Sequence, residues 1–156
     1  LAAIQTKKLM EDQVEVIPTI NIPQGLAALM AFDPDGEFTS NVKQMNSGIL
    51  EVKAASVTKA VRDSSVQGRI VPCGSIIGLI DNQIVADGVS MSEVLIRLIE
   101  KMNHEGAELV SLYYGRDISP DLAQELADQI RQGLPDLEVE LYDGGQPHYH
   151  FFISVE

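Results

Sequence analysis

The spacing of apolar and polar residues switches repeatedly between the two-residue period of strands and the 3.6-residue period of helices. Val14, Val16 and Ile17 are β-branched and fit a buried strand, which Pro18 ends because it cannot donate to a ladder. Asn21 caps a helix with Pro23 in its first turn and Gln24 three residues on, an Asn version of the capping box. Leu26, Leu29 and Met30 then share one helical face. This strand–loop–helix stretch brings Thr19 and the N–H groups near Gln24 and Gly25 to the C-terminal end of a strand, where open α/β sheets meet ligands and partners.

Further along, Asp-Pro-Asp-Gly (Asp33 to Gly36) signals a turn. Thr39 is placed to cap a helix carrying Val42, Met45 and Ile49. Ala55 to Val61 alternates as a strand that runs into Arg62-Asp63. Ile70 to Ala86 reads as short strands broken by Pro72, Gly74 and Gly78, with Asp81-Asn82 as a two-residue hairpin turn. Ser90 and Glu93 form a capping box before a helix with Val94, Leu95, Leu98, Ile99 and Met102 on one side, stopped by Gly106. A strand over Glu108 to Tyr114 leads through Gly115-Arg116-Asp117 to a helix capped by Ser119, with Leu122, Leu126 and Ile130 as its core stripe and Gly133 and Pro135 at its end. Leu137 to Tyr142 is a strand with Glu138 and Glu140 on a wet face, Asp143-Gly144-Gly145 turns the chain, and Tyr149 to Val155 is the last strand.

This order predicts an α/β layered sandwich with a mixed, mainly parallel sheet and right-handed crossovers. The hairpin insertion around 70–89 and the last strand are expected at antiparallel edges, the former as a small subdomain or flap. Residues 1–12 read as a helix end or linker from an upstream domain and 13–156 as the domain proper, so that the chain, which starts at Leu1, reads as cut from a longer polypeptide.

Composition narrows the function. The 156 residues are 45% hydrophobic and 5% aromatic, an aliphatic core for one domain. The net charge of −12 argues against nucleic acid or an anionic membrane as partner, because both select Lys/Arg-rich faces. It leaves either plain solubility or an acidic face for a basic partner. No stretch is long enough to span a bilayer and no signal peptide is present. Cys73 alone cannot make an internal disulfide; it reads as a small buried or half-buried thiol and fits a reducing cytoplasm.

Phosphate-loop, dinucleotide, zinc-protease and nucleophile-elbow motifs are all missing from the sequence. His148 and His150 would share one side of a strand, where a carboxylate such as Asp143 could complete a zinc site; two solvated histidines on an edge strand are the plainer reading. His104 suits the negative end of a helix. Gly115-Arg116-Asp117 before a helix start could hold an anion or be a loop with a surface ion pair. Arg62-Asp63 has the same two readings, and Gly144-Gly145-Gln146-Pro147 is a tight turn or a place where another backbone approaches. No catalytic residue is assigned.

Four separated stretches carry a resemblance: Ile17 to Phe32, Val57 to Ser64, Tyr114-Gly115, and Val139 to Glu156 with its Gly-Gly-Gln-Pro. Together they resemble the C-terminal, DegV-like domain of the ATP-binding subunit of bacterial fatty acid kinase, also described as a dihydroxyacetone kinase-like or DAK phosphatase family. His148, His150 and Arg116 depart from the family pattern. The resemblance implies a non-catalytic domain that docks a separate DegV-type fatty-acid-binding protein. Missing domains of the parent would hold ATP and a divalent metal and phosphorylate the fatty acid carboxylate for phospholipid synthesis, with a possible homodimer through the parent chain. It implies no cofactor in this fragment. Thr19, Gln24, Gly25, Arg62, Asp63, Gly115, Gly145 and Gln146 become partner-binding or loop-bracing residues. An autonomous lipid-binding module of DegV type is the alternative.

Overall fold

A computed structural model describes residues 2–10, 14–66, 68–102 and 107–156. It divides into two compact units, Leu1–Val52 and Lys53–Glu156. The boundary expected after residue 12, and the roles of His104 and Gly106, fall outside the described residues.

The first unit is helical: α1 (Ala2–Leu9), α2 (Ile22–Met30) and α3 (Phe38–Glu51). The strand expected at Val14 to Ile17 does not form. β-branched residues fit a strand only where a neighbour offers a ladder, and among the described residues none does. Instead the Glu15 carboxylate pairs with Lys7 and accepts from its neighbour Val16 N–H, and Thr19 N–H closes a tight turn onto the Ile17 carbonyl (2.9 Å) across Pro18. The cap is as expected: Asn21 Oδ1 accepts from Gln24 N–H (2.9 Å), while Gln24 Oε1 reaches back to Ile20 N–H (3.0 Å).

The apolar stripe of α2 is not its buried face. Leu29 and Met30 are 65% and 87% exposed, whereas Pro23 and Ala28 are buried. Small residues decide this: a Cβ on Gly48 of α3 would lie 3.0 Å from the Ala27 carbonyl oxygen and 3.3 Å from the Ala31 methyl, so the two helices meet along alanines and a glycine. Helix α3 starts at Phe38 with Glu37 as its cap residue, so Thr39 is internal. Buried Asn41 accounts for the earlier start. Its side chain accepts from Asp33 N–H (2.7 Å) and donates to the Asp33 and Gly36 carbonyls (2.7 and 3.2 Å), lashing the Asp-Pro-Asp-Gly turn to the first turn of the helix.

The second unit contains β1 (Lys53–Lys59), β2 (Ser64–Val66), β3 (Arg69–Val71), β4 (Ile76–Ile80), β5 (Gln83–Gly88), α4 (Met91–Met102), β6 (Leu109–Tyr114), α5 (Pro120–Gly133), β7 (Glu138–Asp143) and β8 (Phe151–Val155). Six strands make one mixed sheet in the order β5-β4-β1-β8-β6-β7, while β2 and β3 form a separate ribbon. The α/β class is as expected, but the sheet is mostly antiparallel: only β6 and β7 pair in parallel. The crossover units β5-α4-β6 and β6-α5-β7 do run parallel in direction. Antiparallel β4 and β8 are interleaved among their strands, so parallel strands seldom touch.

Two placements differ from expectation. The last strand is not an edge; β8 lies between β1 and β6 with all five residues buried, which is why it reads as a nearly unbroken apolar run. The hairpin around 70–89 does supply an antiparallel edge, β5, as expected, but it is not a flap, since β4 pairs directly with β1. Its turn is as expected: Asp81 and Asn82 have φ of 50° and 61°, the geometry whose twist matches the flanking strands.

Helices α4 and α5 pack on one sheet face. Val94, Leu95, Leu98, Ile99 and Met102 are all buried, each worth about 1.5–3 kcal/mol of transfer free energy. On α5 the buried stripe is Ala123, Leu126, Ala127 and Ile130; Leu122 is 41% exposed, because the alanines let the helix sit close. Leu98 seats over Gly78 of β4, where a Cβ would lie 2.4 Å from its Cδ1 and 2.6 Å from its Cγ. Gly78→Ala is therefore expected to overpack this contact and destabilise the chain by about 1–3 kcal/mol in urea titrations.

Candidate functional site

At the ends of β6 and β7 the chain makes a knot of two loops, 115–119 and 144–150. Gly115 is its centre. Gly115 N–H donates to the His150 carbonyl (2.9 Å), Arg116 N–H to the Gln146 carbonyl (3.2 Å), and Gly144 N–H to the Tyr114 carbonyl (3.0 Å). A Cβ on Gly115 would lie 2.2 Å from the Tyr149 carbonyl oxygen and 2.8 Å from that of Gln146, so no side chain fits. The Gln146 side chain donates to the Tyr113 carbonyl (2.8 Å), and Thr58 Oγ1 donates to the His148 carbonyl (2.6 Å), tying β1 to the same loop. Gly145 and His148 both adopt positive φ, 60° and 71°. The second is a strained conformation for a residue with a Cβ, held by the bonds around it.

His148 and His150 therefore do not form a same-side strand pair. The loop turns between them, leaving His148 exposed and His150 half-buried. Among the described residues no group of three His, Cys, Asp or Glu is placed to hold a metal. Burial pushes the His150 imidazole below its usual pKa, the Lys59 charge adds to this, and Asp117 opposes it. Its Nδ1 and the Gln146 Oε1 are buried without a hydrogen-bond partner.

Beside the knot runs an aromatic row. Tyr113 stacks on Tyr142 (5.3 Å between centroids), Phe152 lies opposite Tyr113 in the β6–β8 ladder, and Tyr149 tilts against Phe152 (4.9 Å). Burial raises the Tyr113 hydroxyl pKa, and a hydrogen bond to Glu140 raises that of Tyr142. Both phenols and the imidazole are thus neutral near pH 7. They offer hydrogen bonds and flat apolar surface, the chemistry of recognition.

Of the residues singled out by sequence, Gly115, Gly145 and Gln146 meet in this knot. Arg62 and Asp63 lie beyond the end of β1; Asp63 Oδ1 accepts from Cys73 N–H (2.8 Å), bracing the Pro-Cys-Gly turn. Cys73 itself is exposed rather than half-buried, because the turn at Gly74 (φ 86°) points it outward. Thr19, Gln24 and Gly25 belong to the first unit, not to the end of a sheet strand. A Cβ on Gly25 would meet nothing within 4 Å, so its position does not require glycine. Sequence reasoning missed Thr58, Tyr113 and Asn41; Thr58 and Tyr113 act across the sheet on partners that no local spacing reveals, and Asn41 on the nearby Asp33 and Gly36 backbone. No helix among the described residues is long and apolar enough to cross a membrane.

This fold is shared with DegV proteins. The chain superposes on a DegV family protein of Corynebacterium glutamicum with a TM-score of 0.65, covering 99% of this chain and 68% of that one at 14% identity. It superposes on a fatty acid binding DegV family protein of Streptococcus agalactiae with a TM-score of 0.55, covering 98% and 64% at 16% identity. By sequence, residues 1–156 match the FakA-like C-terminal family of fatty acid kinase, and the chain belongs to that family. Protein YloV of Bacillus subtilis is 34% identical over 156 residues, which are 100% of this chain and 28% of YloV.

Two outcomes follow from the knot. Gly115→Ala is expected to cost about 3 kcal/mol or to prevent folding, read by urea or thermal unfolding, because backbone rather than a flexible side chain must yield. His150 has its pKa lowered in the folded state, so the unfolded chain binds its proton more readily. Its contribution is complete above the ordinary value of 6.5 and is lost as pH falls through the folded value. Urea midpoints measured at about pH 7.5 and about pH 5 should differ less in His150→Gln than in the unmodified chain.

Proposed function

We propose that this chain is the docking domain of a fatty acid kinase subunit, whose partner is a DegV-type protein carrying the fatty acid. The observation that carries the reading is the family match across the whole chain. The fold, shared with a protein described as fatty acid binding, supports it. The chain spans 28% of the curated relatives it matches, so the reaction is assigned to the whole protein. In this reading, domains outside the chain bind ATP and a divalent metal and transfer the phosphoryl group to the fatty acid carboxylate, giving an acyl phosphate for phospholipid synthesis in the cytoplasm.

Within the docking domain, Gly115, Gln146, Asp63 and Gln24 brace loops. Exposed Arg62 and Gly145, with half-buried Thr19 and Gly25, are assigned in this reading to contact with the partner. The aromatic row and the strained 144–150 loop form the recognition surface of the second unit. An acidic chain, net charge −12, favours a partner with a basic face, with encounter rates that fall as salt rises.

Co-elution and calorimetry with a purified DegV-type fatty-acid-binding protein test the reading. A complex is expected with the chain itself, weakened by Arg62→Ala and by raised salt. Absence of a complex with this chain and also with a full-length relative overturns it. A fatty acid co-purifying with the chain alone would favour a lipid-binding module instead.

A further inference from the structure

The six-stranded sheet has two outer strands, β5 and β7. An outer strand presents unpaired backbone groups that template pairing with another chain. Both strands have outward carbonyls taken by cations borne on the packed helices. On β5, Lys101 Nζ donates to the Val85 carbonyl (2.6 Å) and Arg97 Nη1 to the Asp87 carbonyl (3.3 Å), both from α4. On β7, Glu138 N–H and Gly144 N–H bond to the Glu108 and Tyr114 carbonyls (2.8 and 3.0 Å), so the backbone groups of the alternate residue Val139 point outward while its side chain stays in the core. Arg131 of α5 donates to its carbonyl (2.6 Å).

The two strands differ in what they invite. β7 carries Glu138, Glu140 and Asp143, which would oppose the same charges on a second copy. β5 reads Gln83-Ile84-Val85-Ala86 before its first charge, and its hairpin partner is Ile-Ile-Gly-Leu-Ile. With Asp87 as its one charge, this strand meets far less like-charge repulsion than β7 would on antiparallel pairing with itself. We propose that Arg97 and Lys101 are edge guards. By occupying the outward carbonyls of β5 they stop a second copy of this chain from adding its own β5 there.

Sedimentation velocity over a concentration series tests this on the full chain. Arg97→Ala/Lys101→Ala is expected to show about a twofold or greater rise in weight-average mass with unchanged far-UV circular dichroism, and slowed amide exchange over residues 83–88. Arg131→Ala should sediment as the unmodified chain does, because the β7 carboxylates still repel. A double variant that keeps the unmodified mass overturns the proposal, as does association without slowed exchange at 83–88 or equal association by Arg131→Ala. If the double variant loses its native spectrum, Lys101→Met, which keeps the aliphatic stem but not the donor, decides by the same mass measurement.

Discussion

The second unit depends on the pairing of β8 with both of its neighbours. Phe151 to Val155 sits between β1 and β6, antiparallel to each, and joins the β1-β4-β5 half of the sheet to the β6-β7 half. Its backbone is saturated on both sides, and Phe151, Ile153 and Val155 are buried in the core formed with α4 and α5. The way into this strand is fixed by the absence of a side chain at Gly115, against which the Tyr149 carbonyl lies, and by the Thr58 hydroxyl on the His148 carbonyl. The candidate site is therefore also the anchor of the central strand. That joint duty explains why His148 is held in a conformation it would not choose.

The local code was legible in the sequence. Asn21 and Ser119 cap where their spacing says they should, Asp81-Asn82 makes the turn its composition demands, and the α4 face from Val94 to Met102 is buried as its periodicity indicates. Non-local pairing was not legible. Val14 to Ile17 has strand propensity and no partner, and β8 has an apolar pattern that fits any buried strand, so neither its central place nor the interleaving of β4 could be read from spacing. Gly115, Gly145 and Gln146 were singled out from local motifs. The chemistry around them comes also from Thr58 and Tyr113, which lie in or beside stretches that carried the resemblance but whose contacts across the sheet no local spacing shows. On α2 the error had a different source: periodicity finds the most apolar stripe, while packing against Gly48 selected the smallest one.

The site's side chains suit recognition more than bond-making. A neutral imidazole, neutral phenols and a buried amide can read the shape and hydrogen-bonding pattern of another surface. The chain shares its fold with DegV proteins and belongs to a family defined by the C-terminal part of a fatty acid kinase subunit. In this view the sheet is a platform, and the two loops at the ends of β6 and β7 are locked onto it by their own hydrogen bonds.

The central position of a strand drawn from the far end of the unit has a kinetic cost. Lys53 lies opposite Val155, so their ladder closes a loop of about a hundred residues before any stabilising contact rewards it. The hairpin β4-β5 and the crossover β6-α5-β7 can each assemble from neighbouring sequence, yet neither half shields its open flank until β8 arrives. Folding of this unit should thus be gated by one late, long-range zipping event, and a ribosome-bound chain still lacking that strand would expose two sticky half-sheets at once.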